Sequence, residues 1–188
     1  MDMLFSEPVA YFLTWTTYGT WLPGDRRGWV RKRHGFQLPN LPAEREAQGR
    51  MTETACRLNS RQRQVVEGVI RAHCQIRGWI LHAVNCRSNH VHVVVTAKSV
   101  FPDAVMAQLK AWSTRKLKAR SASEGNQKPR SASEGNQKPQ SASEGKVTVR
   151  EEFAAPSRQN WWTEGGSVRL LFREKNLQEA IRYVVERQ

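Results

Sequence analysis

The chain is poor in cysteine. Cys56, Cys74 and Cys86 are an odd number, lie far apart and form no Cys-x-x-Cys pair. That spacing excludes a disulfide framework and a four-cysteine zinc site, and fits ordinary reduced thiols in a cytosolic protein. Cys74 and Cys86 lie in apolar stretches and are expected to be buried. No apolar run approaches the roughly 18 residues a membrane span requires. The opening Met1–Glu7 has neither a basic leader nor an apolar signal core, so a cytoplasmic protein with no membrane partner is expected. There is no Gly-rich phosphate loop and no His-Glu-x-x-His, which argues against nucleotide hydrolysis and zincin chemistry. Acidic residues are scarce: 17 Asp+Glu face 30 Lys+Arg, a net charge of +13 over 188 residues. Such an excess attracts polyanions, nucleic acid before an anionic membrane.

What is present is organised around Asn89-His90-Val91-His92-Val93-Val94-Val95. A valine-rich run favours a pleated strand. Alternation puts His90 and His92 on one face, about 7 Å apart along the strand, and Val91, Val93 and Val95 on the other. Two imidazoles on a rigid strand can begin a metal site. Two hydrogen-bonded histidines on a half-exposed strand are the plainer reading, since His-x-His is a short motif.

Ala10–Tyr18 alternates aromatic and threonine residues and reads as a half-buried first strand. Pro23-Gly24 marks a turn. Arg26, Arg27, Arg31, Lys32, Arg33 and His34 then surround Trp29. Basic residues around an aromatic can bind phosphates and stack on an unpaired base; a solvated loop with Trp29 tucked onto the body is the alternative. A helix is expected from about Thr54 to Arg77, with Val65, Val66, Val69, Ile70 and Ile76 as its stripe and Gly78 as its stop. Trp79–Cys86 is the next strand, and Arg87-Ser88-Asn89 turns it into the His-x-His strand. His82 reads as a packed strand histidine. Pro102 opens another helix, with Val105, Leu109 and Trp112 inward and Arg115, Lys116, Lys118 and Arg120 making its far end basic.

Composition then changes. Arg120–Pro129 is a decapeptide that recurs from Arg130, and Ser141–Gly145 begins a third copy. It holds almost nothing apolar, so a disordered insertion at about 120–146 is expected within a single domain spanning 1–188. Order is expected to resume near Val147. Asn160–Phe172, with Trp161-Trp162 and a Gly-Gly turn, fits a hairpin or edge strand. Glu174–Gln188 reads as a helix with Leu177, Ala180, Ile181, Val184 and Val185 on one face.

There are only three tyrosines, and Tyr183 lies on that last helix. It falls about 100° from the centre of the apolar stripe, at a flank that can lean over a sheet and still reach solvent. The order of an aromatic strand, a helix, a hairpin bearing Asn-His-Val-His, a helix, a Trp-rich segment and a helix with Tyr-Val-Val resembles the HUH single-strand endonucleases. Within them it resembles the single-tyrosine insertion-sequence transposases, and among those the REP-associated tyrosine transposases, whose Trp-rich segment is similar to Asn160–Arg169. The resemblance covers about residues 9–118 and 155–188. It implies an α+β, ferredoxin-like antiparallel sheet with helices packed on one face. It implies that His90 and His92 hold Mg²⁺ or Mn²⁺ and that Tyr183 is the nucleophile. The family's third ligand position, four residues after the tyrosine, holds Arg187, which cannot bind a cation. Glu186, about 60° from Tyr183 around the helix, and Gln188, about 140°, are the alternatives, with Glu186 favoured by angle.

That chemistry needs a nucleophile, charge neutralisation and alignment. A metal would polarise the scissile phosphate. Tyr183 would attack phosphorus, form a 5′-phosphotyrosine and release a 3′-hydroxyl, keeping the bond energy for rejoining. The expected partner is single-stranded or hairpin DNA, bound by a monomer or homodimer. Trp29, Trp161 and Trp162 are candidate stacking groups, and the basic stretches 26–33 and 115–120 candidate backbone contacts. Two rival readings stand beside this one: a non-catalytic nucleic-acid module displaying Tyr11, Phe12 and Trp15 on its sheet, and a zinc hydrolase using His90, His92 and one further ligand.

Overall fold

The structure is a computed structural model that describes residues 7–31, 34–124 and 158–186. In chain order the elements are β1 (Ala10–Thr16), β2 (Trp29–Arg31), β3 (Gly35–Gln37), α1 (Leu41–Gly49), α2 (Ser60–Arg77), β4 (Ile80–Cys86), β5 (His90–Thr96), α3 (Pro102–Glu124), β6 (Ser167–Leu171) and α4 (Glu174–Glu186). The main sheet has the order β4-β5-β1-β6, and every pairing is antiparallel. With α2 and α3 as crossovers, this is the split β-α-β-β-α-β arrangement of ferredoxin-like folds. The protein is thus α+β with an antiparallel sheet, as expected.

The two crossover helices share one face of the sheet. Val66, Ile70 and Cys74 of α2 and Val105, Leu109 and Leu117 of α3 pack with Leu13, Trp15, Val91, Val93 and Val95. Helix α4 does not join them. It covers the opposite face, where Leu177, Ala180 and Val184 meet Ala10, Ala83, Val94 and Leu171. The one-face expectation therefore holds for the crossovers and gives way at α4. The cause is the central pair of strands: β5 is buried at every position from Val91 to Val95, so each of its faces requires a cover. Each fully buried Val or Leu contributes roughly 1.5–3 kcal/mol.

Boundaries shift where side chains take over from periodicity. Helix α2 begins at Ser60, later than expected, because Asn59 and Gln62 close a reciprocal capping box. Residues 53–58 are tied to other segments instead: Cys56 N–H donates to Tyr18 O at 2.8 Å and Leu58 N–H to Ser88 O at 2.7 Å. Gly78, at φ 66°, ends α2 in the left-handed region. Ile76 and Trp112, expected to face the core, are 81% and 47% exposed; His73 and Ser113 are buried in their helices instead. The β2–β3 hairpin and α1, capped by Asn40, were not expected. The Trp-rich segment supplies the edge strand β6 and an isolated bridge, Thr17 to Trp162.

Helix α3 runs to Glu124, five residues into the first decapeptide. The remainder of the repeat insertion and the expected return of order near Val147 lie outside the described residues. The three cysteines are buried and unpaired, and burial pushes Cys74 up to about 11 and Cys86 up to about 12. Among the described residues, no helix is long and apolar enough to cross a membrane.

Candidate active site

Sheet register sets the site. Across the sheet, Asn85 of β4, His92 of β5, Thr14 of β1 and Ser167 of β6 stand in one row. Ala83, Val94, Phe12 and Arg169 form the next. Both rows face α4, because alternation puts Val91, Val93 and Val95 on the other side. His90 lies one pleat beyond His92, opposite Thr16.

The two imidazoles touch, with ring centroids 4.7 Å apart. Each is oriented by a neighbouring side chain. His92 Nδ1 is 2.8 Å from Thr14 Oγ1. His90 Nδ1 is 2.8 Å from Asn89 Oδ1. An amide oxygen only accepts, so His90 donates from Nδ1. This is the outer-shell arrangement that fixes tautomer and ring direction in metal-ligating histidines. His92 is 7% exposed, so the pair is rooted in the sheet.

Tyr183 reaches the same place from α4. Its ring meets His92 edge-on at 5.7 Å and Phe12 at 5.9 Å, while Phe12 and His92 are 5.6 Å apart. Its 41% exposure leaves it open to solvent above the pair. The helix end is tied down at this point: Asn85 Nδ2 donates to Val184 O at 3.1 Å. That carbonyl lies in the last turn, where intrahelical donors run out.

The other residues singled out in the sequence scatter. Glu186 is exposed in the last turn of α4, and among the described residues no three His, Cys, Asp or Glu side chains form a group that could hold a metal ion. Gln188, Arg187 and Lys32 lie outside the described residues. His82 is hydrogen-bonded to Thr96 Oγ1 at 2.9 Å, away from the pair. Arg26 and Arg31 are exposed. Arg27 is engaged by Asp25 at 2.8 and 2.7 Å and also donates to Thr20 O; this contact holds the Asp25 carboxyl below the usual carboxylate range. Trp29 is half-buried on the small hairpin.

Trp161 leaves the set of stacking groups, and Trp162 is half-buried on the flank of the core. Trp161 is 4% exposed, inside the core. Trp162 packs edge-on against Trp15 at 6.2 Å and donates its indole N–H to Thr114 Oγ1 and Lys110 O. Trp161 fills the core where the chain returns beside β1, and Trp162 packs half-buried against it. Arg115 lies over Trp112 at 4.8 Å, Lys116 is exposed, and Lys118 donates to Gln159 Oε1 at 2.6 Å. All three are on α3, across the sheet from the histidines.

Sequence reasoning did not find Thr14 or Asn85, and named Phe12 only as a displayed aromatic of the rival nucleic-acid module. Their roles depend on strand register and on which face α4 covers. Asn89 was within reach, since it immediately precedes His90.

Residues 52–132 match a family described as "Transposase IS200 like". The matched stretch contains α2, β4, β5 and the histidine pair, and ends before Tyr183. No curated protein matches the chain. A crystal structure from Deinococcus radiodurans R1, described as a candidate transposase, is similar with 17% identity over 98% of this chain and 94% of that one, at a TM-score of 0.39.

Proposed function

We propose that the protein is a metal-dependent DNA transposase or nickase that cuts and rejoins single-stranded DNA beside a hairpin, with Tyr183 as nucleophile. One observation carries this reading: a solvent-open phenol on α4 stands over two touching imidazoles on β5. The likeness of residues 52–132 to IS200-like transposases supports it independently of Tyr183.

The donor set fits part of a divalent site. His90 and His92 would hold Mg²⁺ or Mn²⁺, with Asn89 and Thr14 fixing the rings. A bound ion would supply Lewis-acid polarisation of the scissile phosphate. Of the third ligands that the resemblance implies, Glu186 is not gathered with the two histidines among the described residues, and Gln188 lies outside them. The chain's own contribution is placement. The Tyr183 oxygen attacks phosphorus, the P–O3′ bond breaks, and the 3′-oxygen leaves as a hydroxyl. The phosphodiester energy is stored in the tyrosine ester, and the reverse attack by a 3′-hydroxyl joins a strand. The sheet fixes His92 and α4 fixes Tyr183, so Phe12 and Asn85 set the angle at which the two meet.

Incubation with single-stranded hairpin DNA and Mn²⁺ tests the assignment. A covalent protein–DNA adduct that resists denaturant is expected, absent in Tyr183→Phe and reduced at least 100-fold in His90→Ala/His92→Ala. An adduct that persists in Tyr183→Phe removes the tyrosine from the mechanism.

A further inference from the structure

The Tyr183 ring also forms one wall of a groove of about 510 Å³, shared with Phe12, Arg169, Glu179, Ala180 and Arg182. It runs between α4 and the sheet's β6 edge. Arg169 comes from β6, directly across from Phe12 in register. Arg182 precedes Tyr183 on α4. Two separate elements thus bring a guanidinium each to one opening, on either side of an aromatic and an alanine. Neither guanidinium makes an ion pair or hydrogen bond with another described residue. The groove's one carboxylate, Glu179, leaves it with a net positive charge.

This is the basic surface on the histidine side of the sheet that borders Tyr183. The basic end of α3, with Arg115, Lys116 and Lys118, packs on the far face. A strand whose phosphate lies at Tyr183 must continue in some direction, and unpartnered arginines beside an apolar floor suit a nucleic-acid backbone. We infer that this groove holds the phosphodiester backbone flanking the cut, with Arg169 and Arg182 each contacting a phosphate. The inference rests on the reading of Tyr183 as the nucleophile for its meaning, but the contact itself can be measured without cleavage.

The probe is fluorescein-labelled oligo(dT), and the readout is the slope of log binding constant against log salt, measured on the full chain without metal. Each phosphate contact contributes about 0.7 to that slope for single strands. Arg169→Gln/Arg182→Gln is expected to flatten it by about 1.4, whereas Arg71→Gln, on exposed α2 across the sheet, serves as the comparison for charge loss elsewhere. Arg169→Lys/Arg182→Lys keeps both charges and is expected to restore the slope, which separates contact loss from misfolding. Glu179→Gln is expected to tighten binding. A double Gln variant with the wild-type slope, or with a change no larger per charge than that of Arg71→Gln, overturns the groove assignment. Failure of the wild-type chain to form any covalent adduct with hairpin DNA would instead defeat the nucleophile reading while leaving a flattened slope as evidence for the groove.

Discussion

Thr14 is the residue on which the orientation of His92 depends. It faces His92 directly across β1 and β5 and bonds Nδ1 at 2.8 Å. Thr14→Val keeps the β-branched shape but removes the hydroxyl. Under the proposed metal role of His92, an outer-shell partner such as Thr14 would alter metal affinity by about 10–100-fold when lost. Calorimetric titration with Mn²⁺ is expected to show weaker binding of that order in Thr14→Val, with an unchanged thermal midpoint within a few degrees. Unchanged Mn²⁺ affinity would mean that the His92–Thr14 contact serves packing alone. Glu53 acts on the fold instead. Its carboxylate accepts from Gln159 N–H at 2.8 Å and Asn160 N–H at 3.0 Å and pairs with Arg158 at 3.4 Å. These backbone donors, with Arg158 and Lys118 nearby, hold its carboxyl below the ordinary carboxylate range. A depressed folded pKa adds stability at neutral pH and loses it as pH falls through the folded value. Urea midpoints of wild type and Glu53→Gln should therefore differ at pH 7 and converge on acidification. A gap that widens toward acid would contradict this linkage.

At the scale of elements, α4 is the part that the proposed function and the packing both use. Leu177, Ala180 and Val184 bury one stripe, and Tyr183 projects from its flank. The stripe and the flank were legible in the sequence, because a 3.6-residue period states which side is apolar. The face of the sheet that α4 covers was not, since no local period reveals which of two apolar faces is already taken. The tie at its end is the Asn85–Val184 bond, of the kind worth about 0.5–1.5 kcal/mol. Under the proposed mechanism its larger effect is on aim, since a misplacement of about 1 Å can cost about 100-fold in rate. Asn85→Ala is expected to slow adduct formation at least 10-fold while oligo(dT) affinity stays as in wild type. An equal loss of affinity would show that Asn85 acts on the DNA rather than on the helix. The β2–β3 hairpin and α1 were illegible for a related reason. Three-residue strands and a helix that buries no residue carry almost no periodic signal.

At the scale of the molecule, the sheet divides labour between its two faces. One carries the main core under α2 and α3; the other carries α4, the histidine pair and the arginine groove. The first strand and the β4–β5 hairpin followed from alternating residues and a turn, the ferredoxin-like sheet followed from the family resemblance, and the histidines' shared face followed from period two. The tryptophans misled because composition marks an aromatic as able to stack, while only packing decides whether it is exposed. Trp161 went to the core, Trp162 packed half-buried against it, and the cations beside Tyr183 came from Arg169 and Arg182, far apart from the basic clusters that stand out in sequence. A net charge of +13 is compatible with either distribution.

The most direct trial of the whole arrangement is mass spectrometry of the protein after reaction with single-stranded hairpin DNA and Mn²⁺, followed by nuclease and trypsin. The expected result is a nucleotide-5′-phosphate mass on the peptide Tyr183–Arg187, whose sole tyrosine is Tyr183. The same mass on a peptide containing Tyr11 or Tyr18, or cleaved DNA with no modified peptide at all, would contradict it.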